Sequence, residues 1–420
     1  MGMRIGFAKM EITPPLGTEL GGYAGYRPCS GVHDPLYCKA VVLEQDGVRY
    51  GLIALDLMCA DESLHQKIAE AVADLGLSKE RLIVCAIHSH AAPAGLVPGE
   101  GALAKVNSTI TPRNAEFADY IRQVIDAAAV CCGRAAAGLE KFEVRTARGA
   151  APAIGSERHT GKAPMGELTV VQVKTESGKN LVIYNFPCHP TVTNAANLQV
   201  STDFVAGIEA QLGADMAIFL NGAAGDISTR YTRRESTFDE CERMGKIAGA
   251  QVLKVAEDAP FVQPSLLKGI HTNITLDARQ VDAPEDAENA LREHTKRWQE
   301  AVSRGEDAMT VRILKSYVEG AGVNLEFAQT MDGIRELNLP VTVFRFCGLD
   351  FISIPGELFS TLKPENTSVI AYANGYYRYI CDENAYEAGY YEAMAAIVAR
   401  GQGEHLMKEI HKLLRRLDEI

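Results

Sequence analysis

The stretch Arg81-Leu-Ile-Val-Cys-Ala-Ile-His88-Ser-His90-Ala-Ala-Pro-Ala-Gly95 joins an apolar run to two histidines and a string of small residues. Residues 81–88 are rich in Leu, Ile and Val without strict alternation, which predicts a strand buried on both faces. Polar side chains directly after such a strand are typical of sites in α/β proteins, because strand ends are rigid and the loops beyond them vary freely. We therefore expect an α/β fold with its functional site at strand ends.

Six further apolar runs before residue 260 have the same character, at 39–43, 50–57, 142–148, 168–174, 181–186 and 216–220. Helical periodicity falls at 62–75, 114–131, 203–212 and 241–257, and Asp61 precedes the first of these stretches as a candidate N-cap. Helices between buried strands predict a layered β-sheet core flanked by helices. The order of the strands does not follow from the pattern.

The second half of the chain continues with a strand signal at 263–278 and a charged helical excursion at about 283–320. Strand signals return at 341–354 and 368–373, before helical stretches around 386–399 and 405–417. We find no internal repeat, low-complexity tract or linker, so residues 1–420 are expected to form a single domain. The excursion is expected either to cap the site or to form a subunit contact.

Charge and composition exclude several classes of function. A formal net charge of -12 disfavours binding to nucleic acid and to anionic membranes. The N-terminus has no apolar signal-peptide region and no apolar run reaches about 18 residues, so we expect a cytoplasmic chain without stable membrane anchoring. In that reducing compartment the ten cysteines are expected to be free thiols.

Side chains that could take part in catalysis or metal binding are concentrated in five segments. On an extended backbone, residues two apart face the same side, so His88 and His90 can point into one cavity and chelate a metal together. The other four segments are 185–192 with His189, 221–228 with Ser228, 352–357 with Glu357, and the tyrosine-rich stretch 374–391. Each has a structural alternative: hydrogen-bonded histidines, a tight glycine-containing turn, a helix cap, or tyrosine packing.

Taken together and in this order, the five segments closely resemble the catalytic domain of the neutral/alkaline ceramidase family. The resemblance rests on segments spread over nearly the whole chain: Ile12-Thr13-Pro14-Pro15 with Gly21-Gly22-Tyr23, His88 to Gly95, Phe186 to Thr191 with Asp203, Asn221 to Ser228, Pro355-Gly356-Glu357, and Asn374 through Tyr379 to Tyr391. Full-length ceramidases of the family carry a C-terminal β-sandwich domain, to which no segment here corresponds. The resemblance therefore implies a small bacterial-type relative with the fold of the catalytic domain.

The resemblance also implies a role for individual residues. Zinc ligation is implied for four positions: His88, His189, Glu357 and Tyr379. His90 and Tyr391 match family residues that contact the scissile group and stabilise its oxyanion. Ser228 matches the serine of the family's catalytic loop, and Arg158 lies near the position of a substrate-binding motif in the family. His88 is thereby separated from His90, which faces the substrate instead of the metal.

The function implied is zinc-dependent hydrolysis of an amide bond in an N-acyl compound, either ceramide-like or smaller and soluble. Zinc lowers the pKa of a bound water to about 7 and so activates it at neutral pH. A serine nucleophile at Ser228 with His90 as its base is the competing mechanism. Ester, lactone or phosphoester hydrolysis on the same scaffold and a non-catalytic metal-binding protein are the alternative functions. Expected partners are a small N-acyl or ester substrate and, in a homo-oligomer, further copies of the chain.

Overall fold

The computed structural model describes residues 2–101, 103–110, 112, 115–163, 166–265 and 267–419, with the side chains at 108 and 109 excepted. Three four-stranded sheets form its framework. The first contains β1 (Arg4–Glu11), β2 (Tyr37–Gln45), β3 (Val48–Leu55) and β4 (Leu82–Ala86). The second contains β5 (Phe142–Ala150), β6 (Glu167–Thr175), β7 (Asn180–Phe186) and β8 (Met216–Asn221). The third contains β9 (Lys268–Asp277), β10 (Glu336–Phe346), β11 (Leu349–Ser353) and β12 (Thr367–Ile370).

All three sheets share one topology. In each, the first three strands are antiparallel neighbours in chain order, and the fourth pairs in parallel with the third. We call each sheet with its connections a unit. The order and direction of the strands recur in the three units, but their side chains differ. The repeat is therefore visible in the structure and not in the sequence.

The helices fill the connections and cover the sheets. They are α1 (Glu62–Ala71), α2 (Ala115–Ala137), α3 (Phe204–Leu212), α4 (Phe238–Ala256), α5 (Pro284–Arg304), α6 (Ala308–Thr330), α7 (Glu383–Ala388), α8 (Tyr391–Met394) and α9 (Gln402–Leu417). In the first two units, α1 and α3 form the crossover that a parallel strand pair requires. The third unit makes this crossover with a short 3-10 turn, Ser360–Leu362. The mixed α/β fold with sheets flanked by helices confirms the predicted class.

The fourth strands of the three units meet in the centre of the molecule. The Ala371 amide donates to the Asn221 carbonyl at 2.9 Å, and the Asn374 amide donates to the Val84 carbonyl at 2.8 Å. One apolar cluster includes side chains from all three sheets, among them Val41, Cys85, Val173, Ile218, Phe351 and Ile370. Because the third and fourth strands of each unit are parallel, their carboxyl ends open on the same edge of each sheet.

Several predicted boundaries differ from the structure. The strand expected over 81–88 ends at Ala86, and His88 has a φ of 69°, so the histidine pair does not continue an extended backbone. The strand signal over 341–354 is a hairpin, because Cys347 and Gly348 form a turn with φ of 50° and 79°. The strand β1 is absent from the prediction.

The helical predictions are closer to the structure. Asp61 caps α1 as expected, since its carboxylate accepts from the Leu64 amide at 2.7 Å. The stretch 62–75 is α1 followed by a 3-10 turn, and 386–399 contains only the end of α7 and the four-residue α8. Residue 114, the predicted start of α2, lies outside the described residues.

The charged excursion is an insertion between β9 and β10. It consists of the packed helices α5 and α6 and reaches residue 330, ten residues beyond the predicted end. No helix in the described part of the chain is long and apolar enough to span a bilayer. All ten cysteines are free, as predicted.

Candidate metal centre and substrate cavity

The strand ends of the three units open on a cavity of about 740 Å³. Seven of the eight predicted site residues line it: His88, His90, Arg158, Ser228, Glu357, Tyr379 and Tyr391. The eighth, His189, lies directly behind Glu357, which it contacts at 3.0 Å. Further parts of the wall come from the connection between the first two strands of each unit: Tyr23 in the first, Arg158 in the second and α6 in the third.

His88 follows β4 and is held by the loop that follows β3. Its Nδ1 lies 2.6 Å from the Met58 carbonyl oxygen. Because a carbonyl only accepts, Nδ1 must carry the hydrogen, and a neutral His88 then has its lone pair on Nε2. The ring stacks on Tyr372 at 4.0 Å between centroids, which fixes its plane. Nε2 is thereby directed at Glu357, 3.4 Å from Oε2.

His189 follows β7 and is held in the same manner by the loop that follows β8. Its Nδ1 lies 3.0 Å from the Ile227 carbonyl oxygen, so Nδ1 is again the donor. Burial first, and then the nearby Arg158 cation, lower the pKa of His189 to about 4. The imidazole is therefore neutral at pH 7, with its Nε2 lone pair facing Oε2 of Glu357 at 3.0 Å.

Glu357 follows β11 and is oriented by a residue that follows β12. The Tyr376 hydroxyl donates to Oε1 at 2.7 Å, which leaves Oε2 for the two histidines. Burial alone would raise the pKa of this carboxyl, but the protonated forms of His88 and His189 outweigh burial and hold the pKa well below its usual value. The carboxylate is therefore ionised although only 2% of Glu357 is exposed.

Each unit thus supplies one candidate ligand and the group that orients it. The ligand and its partner come from the ends of the third and fourth strands of the same unit. The pairs are His88 with Met58, His189 with Ile227, and Glu357 with Tyr376. Partners that fix the tautomer and direction of a ligand are a regular feature of metal sites in proteins.

The donor set fits a divalent metal ion. Two imidazole lone pairs and a carboxylate oxygen face one another at 3.0–3.4 Å, and such acceptors repel unless a proton or a cation lies between them. Neutral imidazole nitrogen and carboxylate oxygen are the usual ligands of catalytic zinc. The ring nitrogens of His88, His90 and His189 also lie within 4.8 Å of one another, so a three-histidine group is geometrically available as well.

His90 differs from the other two histidines because no backbone carbonyl in the described part of the chain holds its ring. Its Nε2 lies 3.2 Å from Nε2 of His88, while its buried Nδ1 has no hydrogen-bond partner among the residues that the structure describes. Burial first, and then His88 and His189, lower the pKa of His90 well below its usual value. A neutral ring with an unsatisfied buried nitrogen at the cavity wall is suited to a polar atom of a bound molecule.

Tyr379 is adjacent to Glu357 through a short parallel pairing of 357–358 with 379–380. Its hydroxyl accepts from Arg158 Nη1 at 3.3 Å, and the same nitrogen donates to Glu392 at 3.0 Å. Burial first, and then Glu357, raise the pKa of Tyr379 well above its usual value, while Arg158 opposes them. Tyr391 meets Tyr379 edge to face at 5.8 Å between ring centroids.

Arg158 and Glu392 form a buried pair that also involves His159. Glu392 accepts from Arg158 Nη1 and contacts His159 Nε2, both at 3.0 Å. His159 in turn stacks on Tyr390 at 3.5 Å between centroids. Arg158 lines the cavity, and its buried Nε has no hydrogen-bond partner among the described residues.

Ser228 lines the cavity and accepts a bond from the Arg230 amide at 3.4 Å. Among the described residues, no hydrogen bond joins its hydroxyl to an imidazole. A serine nucleophile needs a base within hydrogen-bond reach. His90, the base suggested by the sequence, contacts His88 instead.

Backbone strain concentrates around the site. His88, Asp203, Tyr372, Asn374 and Arg378 all have φ between 55° and 69°, a region that non-glycine residues rarely adopt. Each such residue costs about 1–3 kcal/mol, and strained residues cluster at functional sites. Asp203, which the sequence matched to an acidic family residue, uses its carboxylate to hold the 192–193 amides beside His189.

The sequence did not reveal the partners of the candidate ligands. Every residue has a carbonyl, so nothing distinguishes Met58 or Ile227 in the sequence. Tyr376 lies within the predicted tyrosine-rich segment, but its bond to Glu357 has no local pattern. The pairing of Glu392 with Arg158 joins residues 234 positions apart and likewise has no local signal.

Fold and site together define a three-sheet α/β protein with a buried histidine–glutamate cluster in an open cavity. The fold matches that of the neutral ceramidase from Pseudomonas aeruginosa with a TM-score of 0.74 and 16% sequence identity, covering 98% of this chain and 74% of that chain. A ceramidase complexed with C2 matches with a TM-score of 0.73 at 16% identity, covering 100% of this chain and 76% of that chain. No protein-family model matches the chain, and no curated protein matches it in sequence. The neutral-ceramidase-like fold expected from the motif order is therefore confirmed.

Proposed function

We propose that this chain is a zinc-dependent hydrolase that cleaves the amide bond of an N-acyl compound. The observation that carries the proposal is the convergence of His88 Nε2 and His189 Nε2 on the ionised Oε2 of Glu357 at 3.0–3.4 Å. Tyr379 completes the proposed ligand set. The similarity of the fold to ceramidases, which are amide hydrolases, supports the choice of reaction class.

Zinc, when bound, lowers the pKa of water to about 7 and polarises a carbonyl group. The chain's own residues act on the substrate. We assign His90 and Tyr391 as hydrogen-bond donors to the carbonyl oxygen, where negative charge develops during hydrolysis. Burial first, and then Glu357, raise the pKa of Tyr391 to about 12, so its hydroxyl keeps the proton that it donates at neutral pH.

Arg158 and Ser228 are proposed to position the substrate. Arg158 Nε is an unsatisfied donor, and Glu392 fixes the plane of the guanidinium group. Ser228 lacks a base among the described residues, which favours activated water over serine as the nucleophile. We therefore expect Ser228→Ala to weaken substrate binding. The amount of product that each enzyme molecule forms in a single turnover should stay the same.

The decisive experiment compares single variants of the histidines. We expect about one zinc ion per chain in the wild type, and loss of both zinc and amidase activity in His88→Ala. His90→Ala keeps its zinc and loses about 10²–10³-fold in kcat. The exposed His405 provides a matched control, since His405→Ala should behave as the wild type. An active metal-free protein, or full activity in His88→Ala, would refute the proposal.

Ester, lactone and phosphoester hydrolysis would use the same centre. A panel of amides, esters and phosphate esters with one common acyl chain separates these reactions on the zinc-loaded protein. A preference for phosphate esters would replace the amidase assignment. A site that stays empty after zinc addition would instead favour a non-catalytic binding protein.

A further inference from the structure

The cavity has a charge opposite to that of the chain. Six cationic side chains line it, against four carboxylates, in a protein whose formal net charge is -12. The cations are Arg158, Arg230, Arg233, Arg312, Lys315 and Arg378. A concave site lined by one sign of charge focuses the field and attracts ligands of the opposite sign.

Three of these arginines have no carboxylate partner among the described residues: Arg378, which donates to Asn107 Oδ1 and the Val106 carbonyl, and the pair Arg230 and Arg233. Arg230 Nη1 donates to the Arg158 carbonyl at 3.3 Å, and Arg233 Nη1 donates to the Thr191 carbonyl at 2.6 Å and to Thr229 Oγ1 at 3.3 Å. These neutral acceptors hold one corner of each guanidinium group. Because arginine has five N–H donors in a planar fork, most of each group remains available to a ligand.

Arg230 lies in a cationic environment. Burial first, and then Arg158 and Arg312, lower the pKa of Arg230 to about 10. Arg233 and Arg312 also both act on the Tyr23 hydroxyl, since they oppose the rise in its pKa caused by burial. Arg230 and Arg233 belong to one turn, in which the Arg233 amide donates to the Thr229 carbonyl at 2.9 Å, and both line the cavity together with Tyr23 and Ser228.

The carboxylates of the cavity do not neutralise this part. Glu357 belongs to the metal centre, and Glu319 is engaged by Arg312 at 3.2 Å. Glu326 lies on the same helix eleven residues beyond Lys315, which is about 16 Å along the axis. Glu19 lies near Arg27, and the Arg27 cation opposes the rise in the pKa of Glu19 that burial causes.

We propose that the substrate carries an anionic group, a carboxylate or a phosphate, which binds between Arg230 and Arg233. This inference rests on the proposed amide hydrolysis and specifies its substrate class. A neutral polar group would leave two half-buried guanidinium groups without a counter-ion when the substrate excludes water. An N-acyl amino acid, with its carboxylate close to the amide, is the simplest compound that fits both the arginines and the metal centre.

The kinetic test uses three amides with one acyl chain: N-dodecanoylglycine, N-dodecanoylethanolamine and the phosphate ester of the latter. We expect kcat/KM for an anionic amide to exceed that for the neutral one by about 10–100-fold, the range of a charged hydrogen bond. Arg230→Gln and Arg233→Gln should each reduce this ratio about 10-fold, mainly through KM. Arg234→Gln, an exposed arginine of the same loop outside the cavity lining, is the matched control and keeps the ratio. The preferred anion identifies carboxylate or phosphate as the group bound.

A binding test separates this inference from the proposed reaction. Dodecanesulfonylglycine and dodecanesulfonylethanolamine resist hydrolysis, so calorimetry with the zinc-loaded protein measures affinity alone. Tighter binding of the anion that is lost in Arg230→Gln, without amide turnover, would support the anion site and refute the amidase. Equal affinity for both compounds, with both amides hydrolysed, would refute the anion site and leave the amidase. Arg230→Lys keeps the positive charge and should retain part of the preference for the anionic compound. This result would show that Arg230→Gln loses the preference because it removes the charge and not because it misfolds.

Discussion

Tyr376→Phe tests the most informative contact of the site, because it removes one oxygen atom and keeps the ring. The Tyr376 hydroxyl donates to Glu357 Oε1 at 2.7 Å, and the residue is only 5% exposed, so no water replaces the bond readily. A hydrogen bond to a charged group contributes about 1.5–3 kcal/mol. Loss of an outer partner of a ligand typically weakens metal binding about 10–100-fold, which is the same free energy. We therefore expect zinc affinity to fall by one to two orders of magnitude.

The assay is a competition titration of zinc between the protein and a chromophoric chelator, together with unfolding of the metal-free protein. Tyr377→Phe is the matched control, because the Tyr377 hydroxyl donates to the Asn338 carbonyl at 2.7 Å and to Glu62 Oε2 at 3.4 Å, away from the metal centre. Both variants lose a hydroxyl group that donates within the protein and should unfold similarly without metal. Only Tyr376→Phe should lose zinc affinity. Wild-type affinity in Tyr376→Phe would show that this bond does not orient a ligand, whereas a wild type without zinc would refute the metal centre itself.

Three further predictions concern the site and the stability of the fold. Gly22→Ala should reduce activity about 10²-fold, because a Cβ on this residue (φ +85°) would lie 2.4 Å from the His90 ring and displace it. Glu392→Gln should lower the free energy of unfolding by about 3–5 kcal/mol in urea titrations, since it leaves the buried Arg158 cation unpaired. His65 is buried and its pKa is lowered to about 4, mainly by burial, so the unfolded state binds more protons below pH 6.5. Stability should therefore fall by up to about 3 kcal/mol between pH 6.5 and about 4, with a smaller loss in His65→Gln.

Each of these predictions has a control within the chain. Gly17→Ala shares the unfavourable φ of +91° but has no atom within 4 Å of the added Cβ, so it should lose stability and keep activity. Equal activity of the two alanine variants would contradict the proposed clash with His90. Glu387→Gln removes an exposed ion pair with Arg400 and should change stability by less than about 1 kcal/mol. An identical pH dependence of wild type and His65→Gln would exclude His65 as the titrating group.

The sequence predicts those parts of the fold that depend on local pattern. Apolar runs and helical periodicity fixed the class and most of the elements, and Asp61 was recognised because an N-cap acts on its own helix. Strand order depends on contacts between distant residues and was not predicted. The hairpin at Cys347 was missed because two buried strands separated by a two-residue turn look like one apolar run.

The candidate site was predicted through motif order more than through geometry. His88 and His90 were expected on one face of an extended strand, yet His88 adopts a φ of 69° after the strand has ended. The residues around it are not glycines, so nothing local predicts this conformation. It is stabilised from outside, by the Met58 carbonyl and the Tyr372 ring. The contribution of α6 to the cavity is equally non-local, since it depends on where the insertion folds back.

In the three-unit arrangement, the proposed reacting groups and several residues of the cavity wall come from different connections between strands. Groups proposed to react follow the third and fourth strands, whereas Tyr23, Arg158 and α6 come from the connections between the first and second strands. The helices α5 and α6 occupy one such connection, yet β9 and β10 pair without a break from Lys268 opposite Arg345 to Asp277 opposite Glu336. An insertion of this size therefore reshapes the cavity wall without interrupting the sheet whose third strand leads to Glu357.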